Sequence, residues 1–275
     1  MYPELGHIGP IPLRTYTLLI DLGLLIGLGI LAWRGRAVEG RAVGWVDVGI
    51  GGIVGGVIGA RALHVALNWG YFHTNPVEIV QLWAGGLEWH GALAGALLTG
   101  YEVARLRRVQ ISALTDALAL AFPVGAALAW LGCLMSSCAY GQEVRSLADH
   151  SPLVVSELRD IYGALAPRYN TQVFGVAWSL LTLAMAALLA WRGALAGRRL
   201  WAALAFYSVG ALLIAGLRAD PMPVWAGLRA DQWFDIAAIA GCGAALLLMP
   251  RHRSASDNEH RGASGERRAP KGKSP

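Results

Sequence analysis

Apolar stretches of about 20 residues, the length needed to cross the hydrocarbon core of a bilayer, recur along this chain. Seven are predicted, near 15–33, 44–69, 87–103, 113–135, 171–191, 200–217 and 233–249. Composition agrees: 55% of the residues are hydrophobic and only 15% charged, where a soluble domain carries about a quarter charged. The predicted fold class is all-α, a polytopic membrane protein with about seven transmembrane helices.

Arginines set the predicted orientation. Arg34, Arg36 and Arg41 follow the first span, and Arg105, Arg107 and Arg108 the third. Arg192, Arg198 and Arg199 lie between the fifth and sixth, and Arg251 and Arg253 follow the seventh. All four clusters fall on one side of a seven-span chain, which the positive-inside rule places in the cytoplasm. The N-terminus is then outside, the C-terminus cytoplasmic, and the first span is expected to be retained. Residues 1–250 are read as one membrane domain, with 136–170 as a small extracytoplasmic head. The tail, 251–275, carries seven Lys or Arg against three acidic residues. It is expected to be a disordered cytoplasmic segment that is solvated or touches anionic headgroups; no nucleic-acid partner and no metal or other cofactor is expected.

Ionisable groups inside apolar spans are costly unless paired or facing a cavity. Asp21 and Asp116 are expected to make helix–helix contacts. Arg61 and His64, three apart, share a helix face, with Arg61 placed to snorkel or to meet a lipid phosphate. The run "GIGGIVGGVIGA", Gly49 to Ala60, reads as a close-packing surface. In "GGLEWHGALAG", Gly85 to Gly95, His90 is a candidate proton acceptor. Glu88, two residues earlier, is expected to point elsewhere on a regular helix. Arg218 lies where phosphate headgroups begin and can hold one through paired hydrogen bonds, with Asp220 as a candidate positioning partner.

These segments, in order and spacing, resemble the prolipoprotein diacylglyceryl transferase family over residues 9 to about 248. "GPIPLRTY" ends in the family's tyrosine at Tyr16, and "GARALHV" carries its second-span arginine at Arg61. "GGLEWHGALAG" is similar to its His-Gly-Gly segment, and "PRYNTQVFG" to the stretch leading into the fifth span. Tyr207 and Arg218 keep the family's separation. The resemblance implies a bacterial inner-membrane enzyme. It would move the diacylglyceryl group of phosphatidylglycerol, or another anionic phospholipid, to the lipobox cysteine of a prolipoprotein, releasing glycerol phosphate. His90 would assist thiol deprotonation, Arg218 and Arg61 would hold phosphate, and Tyr16 would orient a substrate. Tyr140 and Asp220 complete the implied substrate site.

The chain departs from the family in "WLGCLMSSCAYG", residues 130–141. Trp130 stands where the signature has arginine, Cys133 and Ser136 where it has asparagines, and Cys138 where it has glutamate; Gly132, Tyr140 and Gly141 keep the frame. Ala211 and Ala215 replace an arginine and a glutamate, and Gly175 an acidic residue. On an unbroken helix Cys133 and Cys138 are about 140° apart. They are therefore packing residues, or, if the helix ends between them, a disulfide or redox pair; a zinc site lacks histidines at ligand spacing. Cys242 is expected in the core. Three functions remain open on the sequence: a divergent transferase, a non-catalytic lipid-binding protein on the same scaffold, and a membrane thiol–disulfide protein.

Overall fold

The computed structural model describes residues 4–8 and 11–249; the basic tail lies outside them. Seven long helices are found among the described residues: α1 (Thr15–Glu39), α2 (Val43–Leu67), α4 (Trp89–Leu106), α5 (Ile111–Ser136), α6 (Thr171–Trp191), α7 (Arg199–Ala215) and α8 (Ala230–Leu248). A single turn, α3 (Trp69–Phe72), follows α2. Five of these helices, α1, α2, α5, α6 and α8, are long and apolar enough to cross a membrane. At 18 and 17 residues, α4 and α7 are shorter.

The strictly all-α expectation needs correction. Three antiparallel hairpins accompany the helices: β1 (Glu4–Ile8) with β2 (Ile11–Arg14) ahead of α1, β3 (Val155–Arg159) with β4 (Leu165–Tyr169) between α5 and α6, and β5 (Val224–Trp225) with β6 (Leu228–Arg229) between α7 and α8. The β3–β4 hairpin forms the body of the 136–170 segment. Its position defines the head end of the bundle, where α1, α4, α6 and α8 begin and α2, α5 and α7 finish. Arg168, buried in this hairpin, pairs with Glu143 at 2.6 Å and Asp160 at 3.2 Å.

Glycine dictates the closest helix contact. A Cβ on Gly59 would collide with the Gly91 carbonyl, and one on Gly95 with that of Gly55. Only hydrogens at these four positions let α2 and α4 meet backbone to backbone, as the small-residue run predicts. Farther from the head, Leu31, Trp45, Val48, Ala104, Val109, Leu114 and Ala117 form one core cluster. Cys242 is buried in a second, with Ala119, Ala186, Leu200, Ala203 and Leu204. Leu22, Leu25, Ile58, Leu98, Leu181, Leu213 and Leu247 remain exposed on the helices, the pattern of surfaces that face lipid.

Asp116 fulfils its expected role at the end opposite the head. It accepts from the Gly197 backbone N–H at 2.9 Å and pairs with Arg199 at 2.8 Å, tying α5 to α7. Asp21 does not: it is exposed on α1 and no helix–helix hydrogen bond of its carboxylate is found among the described residues.

Candidate active site

The site is built around the first turn of α4. Glu88 is its N-cap, in extended conformation, and its backbone N–H donates to the Ala60 carbonyl of α2 at 3.1 Å. Because an N-cap side chain turns back over the first helical N–H groups, Glu88 Oε2 accepts from the backbone N–H of His90 at 2.7 Å and of Gly91 at 3.2 Å. Its other oxygen, Oε1, lies 2.9 Å from His90 Nδ1. The expectation that Glu88 points away fails because Glu88 stands just outside the helix, where the helical angle rule does not hold.

His90 Nε2 lies 3.1 Å from Asp235 Oδ1 on α8. Glu88 and His90 are each 8% exposed and Asp235 only 1%. The imidazole is thus buried between two carboxylates. Trp89 covers one face at a centroid distance of 3.9 Å, and Phe234 lies at 5.3 Å.

One turn earlier on α8, Asp231 joins a second polar group. Arg218 donates from Nε and Nη2 to the two oxygens of Asp220 at 2.7 and 2.6 Å, and its Nη1 lies 3.3 Å from Asp231. Arg229 binds Asp231 at 3.1 Å and reaches Asp220 at 3.5 Å. Burial works against the Arg218 charge. The Asp220 hydrogen bond and the charges of Asp220 and Asp231 outweigh it and raise the guanidinium pKa above its usual value. With two arginines and two aspartates the quartet is formally neutral, so it supplies directed donors more than net positive charge. Backbone pairing of Gly141 with Arg218, and the Ala219 N–H donating to the Tyr140 carbonyl at 2.9 Å, dock this loop on the end of α5.

Trp130 borders the His90 half of the site. Its Nε1–H donates to the Tyr207 hydroxyl at 3.0 Å, and Tyr207 stands edge-on to Trp89 at 5.5 Å. A Cβ on Gly175 would run into the Trp130 indole. Trp130 and Gly175 therefore fit each other, and a large apolar ring fills space over a residue with no side chain.

Cys133 and Cys138 are bonded to each other, with Cα atoms 4.7 Å apart. This corrects the packing alternative. The helix ends at Ser136; Ser137 adopts φ 58°, and the Cys138 N–H turns back to the Cys133 carbonyl. That reversal removes the 140° separation. Gln172 donates to the Cys138 carbonyl at 2.7 Å, which anchors the turn on α6. Closing so short a loop contributes about 2 kcal/mol in the chain-entropy account. The Cys133→Ser/Cys138→Ser variant is therefore expected to lose about that much stability, read by thermal unfolding, and non-reducing peptide mapping of the parent should recover the linked pair.

The remaining sequence candidates are used differently. Arg61, 7% exposed, donates to the carbonyls of Ile79 (2.8 Å), Gly85 (2.7 Å), Gly86 (3.1 Å) and Glu78. Four of its five N–H groups are spent on the loop between α3 and α4. The one N–H left over cannot make the paired grip expected on a phosphate. Arg61→Ala is expected to cost about 2 kcal/mol, from carbonyls left unpaired, and to speed proteolytic cleavage between residues 73 and 87. His64 packs under Gly86 beside Arg61, as their shared face predicts. Tyr140 is buried, with the Arg168 guanidinium 5.1 Å from its ring, so it braces the head. Tyr16 packs against Gly132 where α1 begins; no contact of Tyr16 with His90 or Arg218 is found among the described residues.

Asp231 and Asp235 were not singled out from sequence. The signal was present: two acids four apart share one face of an otherwise apolar helix, which calls for partners on its neighbours.

A multi-pass helical membrane protein with a buried histidine–carboxylate centre beside an arginine–aspartate quartet is the class that this fold and site define. The sequence profile of prolipoprotein diacylglyceryl transferase matches residues 3–249. The chain is 30% identical over 252 residues to the phosphatidylglycerol–prolipoprotein diacylglyceryl transferase of Bacillus licheniformis, covering 91% of this chain and 93% of that one. It is 29% identical to the enzymes of that name from Lysinibacillus sphaericus (89% and 91% covered) and Synechococcus elongatus (97% and 94%). The chain belongs to the prolipoprotein diacylglyceryl transferase family.

Proposed function

We propose that this protein transfers the diacylglyceryl group of phosphatidylglycerol to the lipobox cysteine thiol of a prolipoprotein. All seven long helices cross a bacterial inner membrane in this reading. The arginine clusters at the end opposite the head face the cytoplasm, and the head end, with His90 and Arg218, faces outward.

The observation that carries the proposal is the placement of His90 between Glu88 and Asp235, in a chain that shares its length and order with named transferases. The nucleophile must be a thiolate, and a buried imidazole–carboxylate centre is suited to hold the proton that the thiol loses. The thiolate attacks the glyceryl carbon bonded to phosphate oxygen, an S–C bond forms, the C–O bond breaks, and glycerol phosphate leaves. Arg218 has N–H groups beyond the two bound to Asp220, although Nη1 also lies beside Asp231, and in this reading they donate to the phosphate. Asp220 fixes the guanidinium plane, Arg61 holds the adjoining loop in shape, Tyr140 braces the head, and Tyr16 packs the start of α1 on Gly132. Trp130 has one N–H and spends it on Tyr207, so the phosphate charge falls to Arg218.

The test follows glycerol phosphate release from phosphatidylglycerol vesicles containing the purified protein. Release that requires a lipobox peptide with cysteine, and stops when serine replaces it, supports the transfer. Release independent of the thiol would contradict it.

A further inference from the structure

We infer that Asp235 is a positioning residue of the proton-transfer step: with Glu88 it clamps His90 from both sides, making Glu88–His90–Asp235 one buried acid–base unit. This rests on the transfer proposed above and deepens it.

Both ring nitrogens face carboxylate oxygens, at 2.9 and 3.1 Å. A neutral imidazole has one N–H and one lone pair. With both carboxylates ionised, that lone pair would face a negative oxygen at hydrogen-bond distance. The arrangement is satisfied when both nitrogens carry protons, or when one carboxyl holds the proton and donates it to the ring. In either form two protons are shared among three groups. Taking up the thiol's proton then fills the unit by one more: the S–H bond breaks, an O–H bond forms on a carboxyl of the unit, and the ring nitrogens keep their partners. The proton later leaves with the glycerol phosphate oxygen or to water. His90 thus acts together with the two carboxylates.

The Asp235 bond is also placed where packing alone does not require it. Helix α4 packs chiefly on α2, and α8 on α7; His90–Asp235 bridges the two pairs. Among the described residues, the charged and titratable groups around the unit are Arg218, Asp220, Asp231 and Arg229, which form their own neutral set, and on the α2 side His64, which faces Glu88, with Arg61 beside it. The Tyr207 hydroxyl accepts from Trp130 and also pairs with Ser179.

The test uses the full chain in phosphatidylglycerol vesicles with a lipobox peptide, as parent, Asp235→Asn and Asp235→Glu. Asn keeps the shape and a polar contact but cannot hold the proton. We expect Asp235→Asn to lower kcat about tenfold or more, with KM for the lipid and the thermal midpoint little changed, and Asp235→Glu to recover part of kcat. A second readout does not need turnover. Diethyl pyrocarbonate modifies an imidazole through an unprotonated ring nitrogen, and peptide mass analysis reports the modification at His90. His90 should resist labelling in the parent and label severalfold faster in Asp235→Asn. Unchanged kcat in Asp235→Asn, or a loss of kcat that tracks a fall in thermal midpoint without recovery in Asp235→Glu, would overturn the inference. If the parent transfers nothing, labelling decides: faster modification in Asp235→Asn upholds the clamp while the transfer reading falls, and equal labelling removes both.

Discussion

His90→Ala is expected to lower diacylglyceryl transfer by about 10²- to 10⁴-fold, the usual contribution of a positioned acid–base group. The substitution removes the imidazole that stands between Glu88 and Asp235, leaving two buried carboxylates facing one cavity. They cannot both stay ionised without a cation or water, so one takes up a proton, and the carboxylate that remains has lost the imidazole that orients it for the thiol's proton. The check is the initial rate at saturating phosphatidylglycerol and peptide, with the thermal midpoint measured alongside. A rate within a few-fold of the parent in folded His90→Ala would show that the thiol's proton goes elsewhere.

Gly59→Val is expected to destabilise the fold by more than about 4 kcal/mol, the range that marks a core that cannot accommodate the change. Its Cβ meets the Gly91 carbonyl, and the obstacle is helix backbone, which cannot swing aside as a side chain can. Separating α2 from α4 also moves the Ala60 carbonyl that anchors Glu88, so the site is lost with the packing. Gly29, on α1, is the internal control: nothing lies within 4 Å of a Cβ built there. Gly29→Ala should be neutral or stabilising by about 0.5–1 kcal/mol, because alanine loses less chain entropy in a helix. Detergent-solubilised yield and thermal unfolding of the two variants read the difference directly.

Both predictions concern features with different legibility in the sequence. The glycine run between Gly49 and Ala60 announced a close contact, because small residues at three- and four-residue spacing have one dominant use in apolar helices. His90 and Arg218 were also visible, as polar groups at helix ends in segments similar to a known family. Partners were harder. Glu88 was set aside because helix geometry was applied one residue too early, to an N-cap. Asp235 lies 145 residues from His90 in sequence, and only the folded bundle brings α8 against the start of α4; Asp231 is nearer to Arg218, across the turn of the β5–β6 hairpin. Arg61 shows the converse. Its position suggested a lipid phosphate, but which acceptors fill a guanidinium depends on how the Glu78–Gly86 loop folds back, and periodicity carries no information on that. The hairpins were missed for a related reason: short strands in polar connections leave no long alternating pattern. Cys133 and Cys138 turned on the single left-handed residue, Ser137, that reverses the chain between them.

The departures at Trp130, Gly175, Cys133 and Cys138 also form a physical set. An indole over a glycine and a closed disulfide turn pack this part of the head end. The polar groups concentrate in the His90 unit and the Arg218 quartet. The central claim is that this set still catalyses the transfer.

The most direct test is the mass of a lipobox peptide after incubation with the purified protein in phosphatidylglycerol vesicles. The account predicts a peptide that gains one diacylglyceryl group on its cysteine, a product lost in His90→Ala and in Arg218→Ala. An unmodified peptide, with the protein folded and a relative of established activity modifying the same peptide in the same vesicles, would contradict it.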